Sequence, residues 1–109
     1  MPMYDVITLP LAEEDIINNT DYIAYKKKSP DTALRLAIGF RNRIADLEFM
    51  PEQHELDEDE ELAARGIRKC YYKNYKIYFY INTERKAVYI LRVLHMLVNA
   101  KPLLLKTRF

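Results

Sequence analysis

The sequence predicts an α+β fold: an N-terminal strand, an αα-hairpin, then a three-stranded antiparallel meander. Three observations carry this. Residues 67–95 hold three strand-like runs joined by tight links. Residues 10–47 hold two apolar stripes at helical spacing, each opened by a proline. Met3–Leu9 alternates Tyr4, Val6, Ile7 and Leu9 as a short first strand. A strand, two helices and a meander bury their apolar faces most simply as a small α+β sandwich.

The first helix opens at Pro10, because proline suits a first turn, and Glu13, Glu14 and Asp15 complement its positive end. Ala12, Ile16, Thr20 and Ile23 form its apolar face, and Lys26-Lys27-Lys28 close its negative end. That structural role accounts for the lysine run without invoking nucleic acid. Ser29-Pro30-Asp31 reads as a second start signal: a hydroxyl cap, proline at the first helical position and an acid in the first turn. Ala33, Ala37, Phe40, Ile44 and Leu47 then make a stripe, with Arg35, Arg41 and Arg43 off it and solvated. Gly39 costs about 1 kcal/mol relative to alanine there, which suggests close packing against the first helix. Pro51 marks the end of the helical region.

Residues 52–61 carry seven acids in ten positions and read as an exposed loop or frayed helix. His54 has no His or Cys partner at metal-binding spacing, so it reads as a loop histidine. The meander follows as Ile67–Tyr72, Tyr75–Ile81 and Ala87–His95, linked around Asn74 and through Asn82–Arg85. In its second strand Tyr75, Ile77, Phe79 and Ile81 face one way, and Lys76, Tyr78 and Tyr80 the other. The last strand is apolar on both faces and therefore central. Arg92 should share a face with Val88, Ile90 and Leu94, where it needs a carboxylate, a carbonyl or a ligand. The tail, residues 96–109, mixes apolar and basic residues and should pack on the sheet or on another chain.

A chain of 109 residues, half of them hydrophobic, suits one soluble domain spanning 1–109. No apolar run approaches the roughly 20 residues of a membrane span, and Met1-Pro2-Met3-Tyr4-Asp5 lacks the pattern of an export signal. A lone Cys70 forms no internal disulfide, which fits a cytoplasmic setting. The net charge of +1 conceals an asymmetry: residues 1–64 hold six basic and fifteen acidic side chains, residues 65–109 eleven basic and one acidic. Such a split marks either a basic working surface or two halves that neutralise each other. Lys69, Lys76 and Arg92, set within strands, pose the same choice: a solvated or paired structural charge, or an anionic target.

Several stretches together resemble the RelE/ParE superfamily of toxins. In the N-terminal half these are Tyr4-Asp5-Val6, Pro10–Ile16, Tyr22-Ile23-Ala24 and Ser29–Ala33; in the C-terminal half, Ile67-Arg68-Lys69, Tyr75–Ile81 and Ile90–His95. The resemblance covers residues 4–99 and implies a RelE/ParE-like sandwich, no cofactor, and a cognate antitoxin whose extended and helical segment wraps the toxin. Homodimerisation stays open. Two activities occur on this fold, so the fold does not choose between them.

A RelE-like member is a ribosome-dependent mRNA endoribonuclease. It needs cations for the scissile phosphate and a group for the 2′-hydroxyl proton, roles that would fall to Lys69, Lys76 and His95. Lys76 stands where such enzymes place a forked arginine, and Met96-Leu97-Val98 stand where they place an arginine followed by tyrosine or histidine. A ParE-like member poisons DNA gyrase. Ile90-Leu91-Arg92-Val93-Leu94-His95 and Ser29-Pro30-Asp31-Thr32-Ala33 match that branch better, so a plasmid-stabilising gyrase inhibitor is the favoured expectation. Arg68, Arg92, Tyr78 and Tyr80 are then the expected target or partner surface. A non-toxic relative that keeps only antitoxin binding is the third expectation, suggested by the apolar residues after His95.

Overall fold

The computed structural model describes residues 3–109; Met1 and Pro2, which entered the reading of the N-terminus, lie outside the described residues. Strand β1 (Asp5–Thr8) leads into α1 (Pro10–Asp21), which widens to a π turn over Tyr22–Lys26. Lys28 takes a positive φ of 53° and turns the chain into α2 (Pro30–Ala45). Two 3-10 turns, Asp46–Glu48 and Pro51–Gln53, lead to a short α3 (Glu60–Ala64). Strands β2 (Ile67–Tyr72), β3 (Tyr75–Asn82) and β4 (Ala87–His95) follow, then α4 (Lys101–Leu105). The sheet order is β1-β4-β3-β2, with β1 parallel to β4 and the other pairs antiparallel. The expected α+β architecture stands, and β4 is central.

The main core lies between the α1–α2 hairpin and one sheet face. Phe40, Ile44 and Leu47 meet Ile77, Phe79, Val88, Ile90 and Val93, joined by Ala12 and Ile16 from α1. Burying residues of this size contributes about 1.5–3 kcal/mol each, so this stripe sets how the hairpin is placed. Leu36 is a buried member that the expected stripe omitted. Gly39 makes room not for α1 but for β2: a Cβ there would lie 1.8 Å from the Tyr72 hydroxyl oxygen. Ser29 makes no cap bond to the backbone of α2; its hydroxyl bonds Thr32 Oγ1 at 2.8 Å.

The other sheet face is covered too, by the chain's own tail. Leu104 and Ala100 join Leu62, Ile67, Tyr78, Leu91 and Leu94 in a second core. A register shift between Tyr78 and Phe79 makes this possible: Tyr78 pairs with Arg92 and Phe79 with Ile90, so Leu91 is the extra residue of a bulge. Past the bulge the alternation is reversed. Val93, not Arg92, continues the face of Val88 and Ile90, and Arg92 keeps only Leu94 of its expected companions.

The acidic stretch 52–61 is ordered rather than frayed. Leu56 bridges Arg68, Asp57 N–H donates to Ile67 O at 2.9 Å, and Asp57 is buried. Asp59 caps α3 by accepting from Glu61 N–H at 3.0 Å and Leu62 N–H at 3.1 Å. Asp57, Glu58, Asp59 and Glu61 each face an N–H or a cation, which offsets much of the mutual repulsion that would keep such a run extended.

Candidate partner and target surface

The strand cations are placed by alternation on β2, β3 and β4, and each finds a different environment. Lys69 lies on the tail side of the sheet, paired across strands with Tyr78, and bonds Glu58 at 2.9 Å with Asp57 at 3.4 Å. Burial alone would push its ammonium down, but the hydrogen bond to Glu58 and the charge of Asp57 outweigh it and hold the group above the ordinary lysine range. Lys76, on the same face, meets no carboxylate among the described ion pairs. Its Nζ reaches Val98 O at 3.4 Å and stands 5.7 Å from the Tyr78 ring centroid. The acidic half thus neutralises one of the two lysines and leaves the other to the surface.

Arg92 is held by Asp15, whose place in the sequence suggests only a complement to the dipole of α1. Beyond Thr8, β1 no longer pairs with β4, and α1 covers the exposed stretch of the β4 edge. Asp15 receives Arg92 Nε at 2.7 Å and Arg92 Nη2 at 2.8 Å, and also accepts Val93 N–H at 3.0 Å. Asn19 Nδ2 donates to Val93 O at 3.2 Å. One carboxylate therefore satisfies both a forked guanidinium and an orphan strand amide. The hydrogen bonds that Arg92 donates to Asp15 outweigh desolvation and raise the Arg92 pKa further. A signal for this was in the sequence: Asp15 stands three residues after Ala12 and next to Ile16, on the buried side of the helix.

His95 pairs across strands with Tyr75, on the helix side of the sheet, and its ring meets the Tyr75 ring edge-on with centroids 5.4 Å apart. Its Nδ1 accepts Leu97 N–H at 3.2 Å. Lys69 and Lys76 are thus brought to one face and His95 to the other. Arg68 donates from Nη1 to His54 O at 2.6 Å, tying the acidic segment to β2. Tyr78, expected on the target surface, is 2% exposed; the second core claims its ring, and burial pushes its phenol up to about 12. Tyr80 is half-covered by Phe109, with ring centroids 4.7 Å apart. Both placements have one cause: the tail occupies the face on which these rings lie.

A groove of about 470 Å³ runs beside β2, lined by Arg43, His54, Leu56, Lys69 and Tyr71 among others. Burial, with Arg43 and Arg68 nearby, lowers the pKa of His54. At the end of β4 the loop Met96-Leu97-Val98 is exposed, Leu97 by 86%. Among the described residues no three His, Cys, Asp or Glu side chains gather as a metal site, and no helix is long and apolar enough to cross a membrane.

A strand, a two-helix hairpin and a meander whose sheet is ordered β1-β4-β3-β2 define a RelE/ParE-type toxin fold. The sequence model of the ParE toxin of type II toxin-antitoxin system, parDE, matches residues 6–97, and the chain belongs to that family. Among solved structures, the chromosomal ParDE TA system from P. aeruginosa is similar with a TM-score of 0.69 at 18% identity, over 87% of this chain and 98% of that one. The toxin-antitoxin complex RelBE2 from Mycobacterium tuberculosis is similar with a TM-score of 0.60 at 26% identity, over 87% and 93%. No curated protein sequence matches. The chain is a type II toxin of the RelE/ParE superfamily.

Proposed function

We propose that residues 1–109 form a single toxin domain that acts in the cytoplasm by inhibiting DNA gyrase, held inactive by a cognate antitoxin, in the manner of a plasmid-stabilisation system. The observation that carries this reading is that strand register sets His95 on the opposite face of the sheet from Lys69 and Lys76. An mRNA endoribonuclease needs its proton carrier and its phosphate cations around one substrate phosphate. Lys69 and Arg92 are in addition engaged with Glu58, Asp57 and Asp15, leaving Lys76 as the one of these three outside the described ion pairs. A gyrase inhibitor requires a complementary surface and no such cluster.

Two assays on the purified chain test this. Gyrase supercoiling should be blocked, and ribosome-bound message should remain intact. Cleavage of that message, lost in Lys76→Ala or His95→Ala, would replace the gyrase reading with the endoribonuclease one. The exposed Met96-Leu97-Val98 loop favours one other reading, a relative that binds antitoxin without toxicity. Unimpaired growth on expression of the chain alone, with a stable antitoxin complex, would establish it.

A further inference from the structure

The tail gathers positive charge that the fold itself does not use. Thr107 is buried; its N–H bonds Leu104 O at 3.1 Å and its hydroxyl bonds Leu103 O at 3.0 Å. Its neighbours on either side, Lys106 and Arg108, are left exposed. Arg65, at the C-terminal end of α3, donates from Nη1 to Leu105 O at 3.1 Å. That bond sets its guanidinium beside the tail and leaves its other N–H groups to solvent. None of these three cations meets a carboxylate among the described ion pairs. Asp59 and Glu61 of α3 are taken instead by Lys101, at 2.9 and 3.5 Å.

Aromatic rings stand among the same cations. Alternation puts Tyr80 on the tail side of β3, opposite Tyr89 of β4. Gly66, at a φ of 80°, lets the Tyr80 ring lie close, since a Cβ there would come within 3.1 Å of it. Phe109 packs on Tyr80 with an angle of 50° between the rings, and is itself 46% exposed. A cavity of about 500 Å³ opens here, lined by Arg65, Tyr80, Thr107, Arg108 and Phe109. It shares Thr107 and Arg108 with a second cavity of about 320 Å³, lined by Lys106 as well as by Leu9, Leu11 and Leu91. No Asp or Glu side chain lines either cavity among the described residues.

We propose that this strip is a binding site for a short single-stranded stretch of nucleic acid. Its phosphates meet Arg65, Lys106 and Arg108, and one base lies against the exposed face of Phe109 beside Tyr80. Cations that track a backbone, combined with an open aromatic face, are what an unpaired strand requires. A duplex keeps its base faces stacked inside and would leave the rings unused. An acidic peptide would use the charges alone. The site is separate from Lys69, Lys76 and His95, and it does not depend on which target the toxin poisons.

The test is fluorescence anisotropy of a short labelled oligothymidylate titrated with the purified chain. With three phosphates neutralised, log K should fall against log salt with a slope of about −2. Arg65→Glu with Arg108→Glu should weaken binding at least about tenfold. Lys26→Glu with Lys27→Glu, the same change of charge on the helical hairpin, should alter it less than about twofold. Phe109→Ala should cost at least about fivefold. In the unaltered chain the ring protons of Tyr80 and Phe109 should shift on titration, a readout independent of how any variant folds. An oligouridylate of equal length tells DNA from RNA as the source, and tighter binding of either supports the site. Absence of binding, or equal losses in both charge variants, overturns it. A duplex bound as tightly as the single strand, with Phe109→Ala silent, refutes the stacked base. Thymidine monophosphate bound as tightly as the oligonucleotide assigns the cavity to a free nucleotide and refutes the strand. Displacement by polyglutamate at equal charge assigns the strip to an acidic protein and refutes the nucleic acid.

Discussion

Replacing Asp15 by alanine tests the account of β4 most directly. Asp15 is 8% exposed, bonds both nitrogens of the Arg92 fork at 2.7 and 2.8 Å, and takes Val93 N–H at 3.0 Å. Breaking a buried ion pair by deleting one partner costs roughly 3–5 kcal/mol. Arg92 lies at the strand edge and can swing partly to water, which reduces this to about 2 kcal/mol. Leaving the Val93 amide without an acceptor adds about 1 kcal/mol. The expected loss is therefore about 3 kcal/mol. With an unfolding entropy of about 2.1 cal/mol/K per residue, a chain of this length should melt about 13 °C lower. Urea and thermal unfolding followed by circular dichroism measure both quantities. The pair Asp15→Ala with Arg92→Met removes the stranded charge and should recover at least about 1 kcal/mol of the loss, since an apolar replacement of both partners is far better tolerated than half a pair. A loss below about 1 kcal/mol for Asp15→Ala, or a double variant no more stable than the single one, refutes the reasoning.

Gly39→Ala should destabilise by about 1–3 kcal/mol despite a helix-propensity gain of about 1 kcal/mol, because the new Cβ would meet the Tyr72 hydroxyl oxygen and ring carbons at 1.8 to 2.7 Å; a raised melting temperature would contradict this. His54 has its folded pKa lowered below the ordinary 6.5, so protons favour the unfolded chain and stability should fall as pH drops through about 6.5. That slope between pH 7 and 5 should flatten in His54→Gln, and an unchanged slope would sink the assignment. Burial pushes the Cys70 thiol up to about 11, so it should resist a disulfide reagent at pH 8 until urea unfolds the chain. Rapid labelling of the folded protein would count against the packing of β2. At the alkaline end the raised Cys70 and Tyr78 groups act together, and their contribution to stability should decline as pH rises from about 9 toward about 12.

Local pattern alone determined the elements and their order. Prolines at 10 and 30 start the helices, the stripe through Phe40, Ile44 and Leu47 orients α2, and period-two alternation sorts Ile77 and Phe79 from Lys76 and Tyr78. These signals are local because helix and strand geometry repeat every few residues. The likeness to RelE/ParE toxins was likewise legible, since it rests on ordered short runs. The use of each charged residue was not. Whether Lys69 faced a target or a carboxylate depended on where Asp57 and Glu58 came to rest, and Arg92 drew its partner from 77 residues away. Tyr78 passed from expected surface to core because the tail returned to cover the sheet, and one bulge at Leu91 reversed the faces of β4 after it. Alternation carries no record of an extra residue, and a charge carries no record of its partner; both are settled only when distant segments pack.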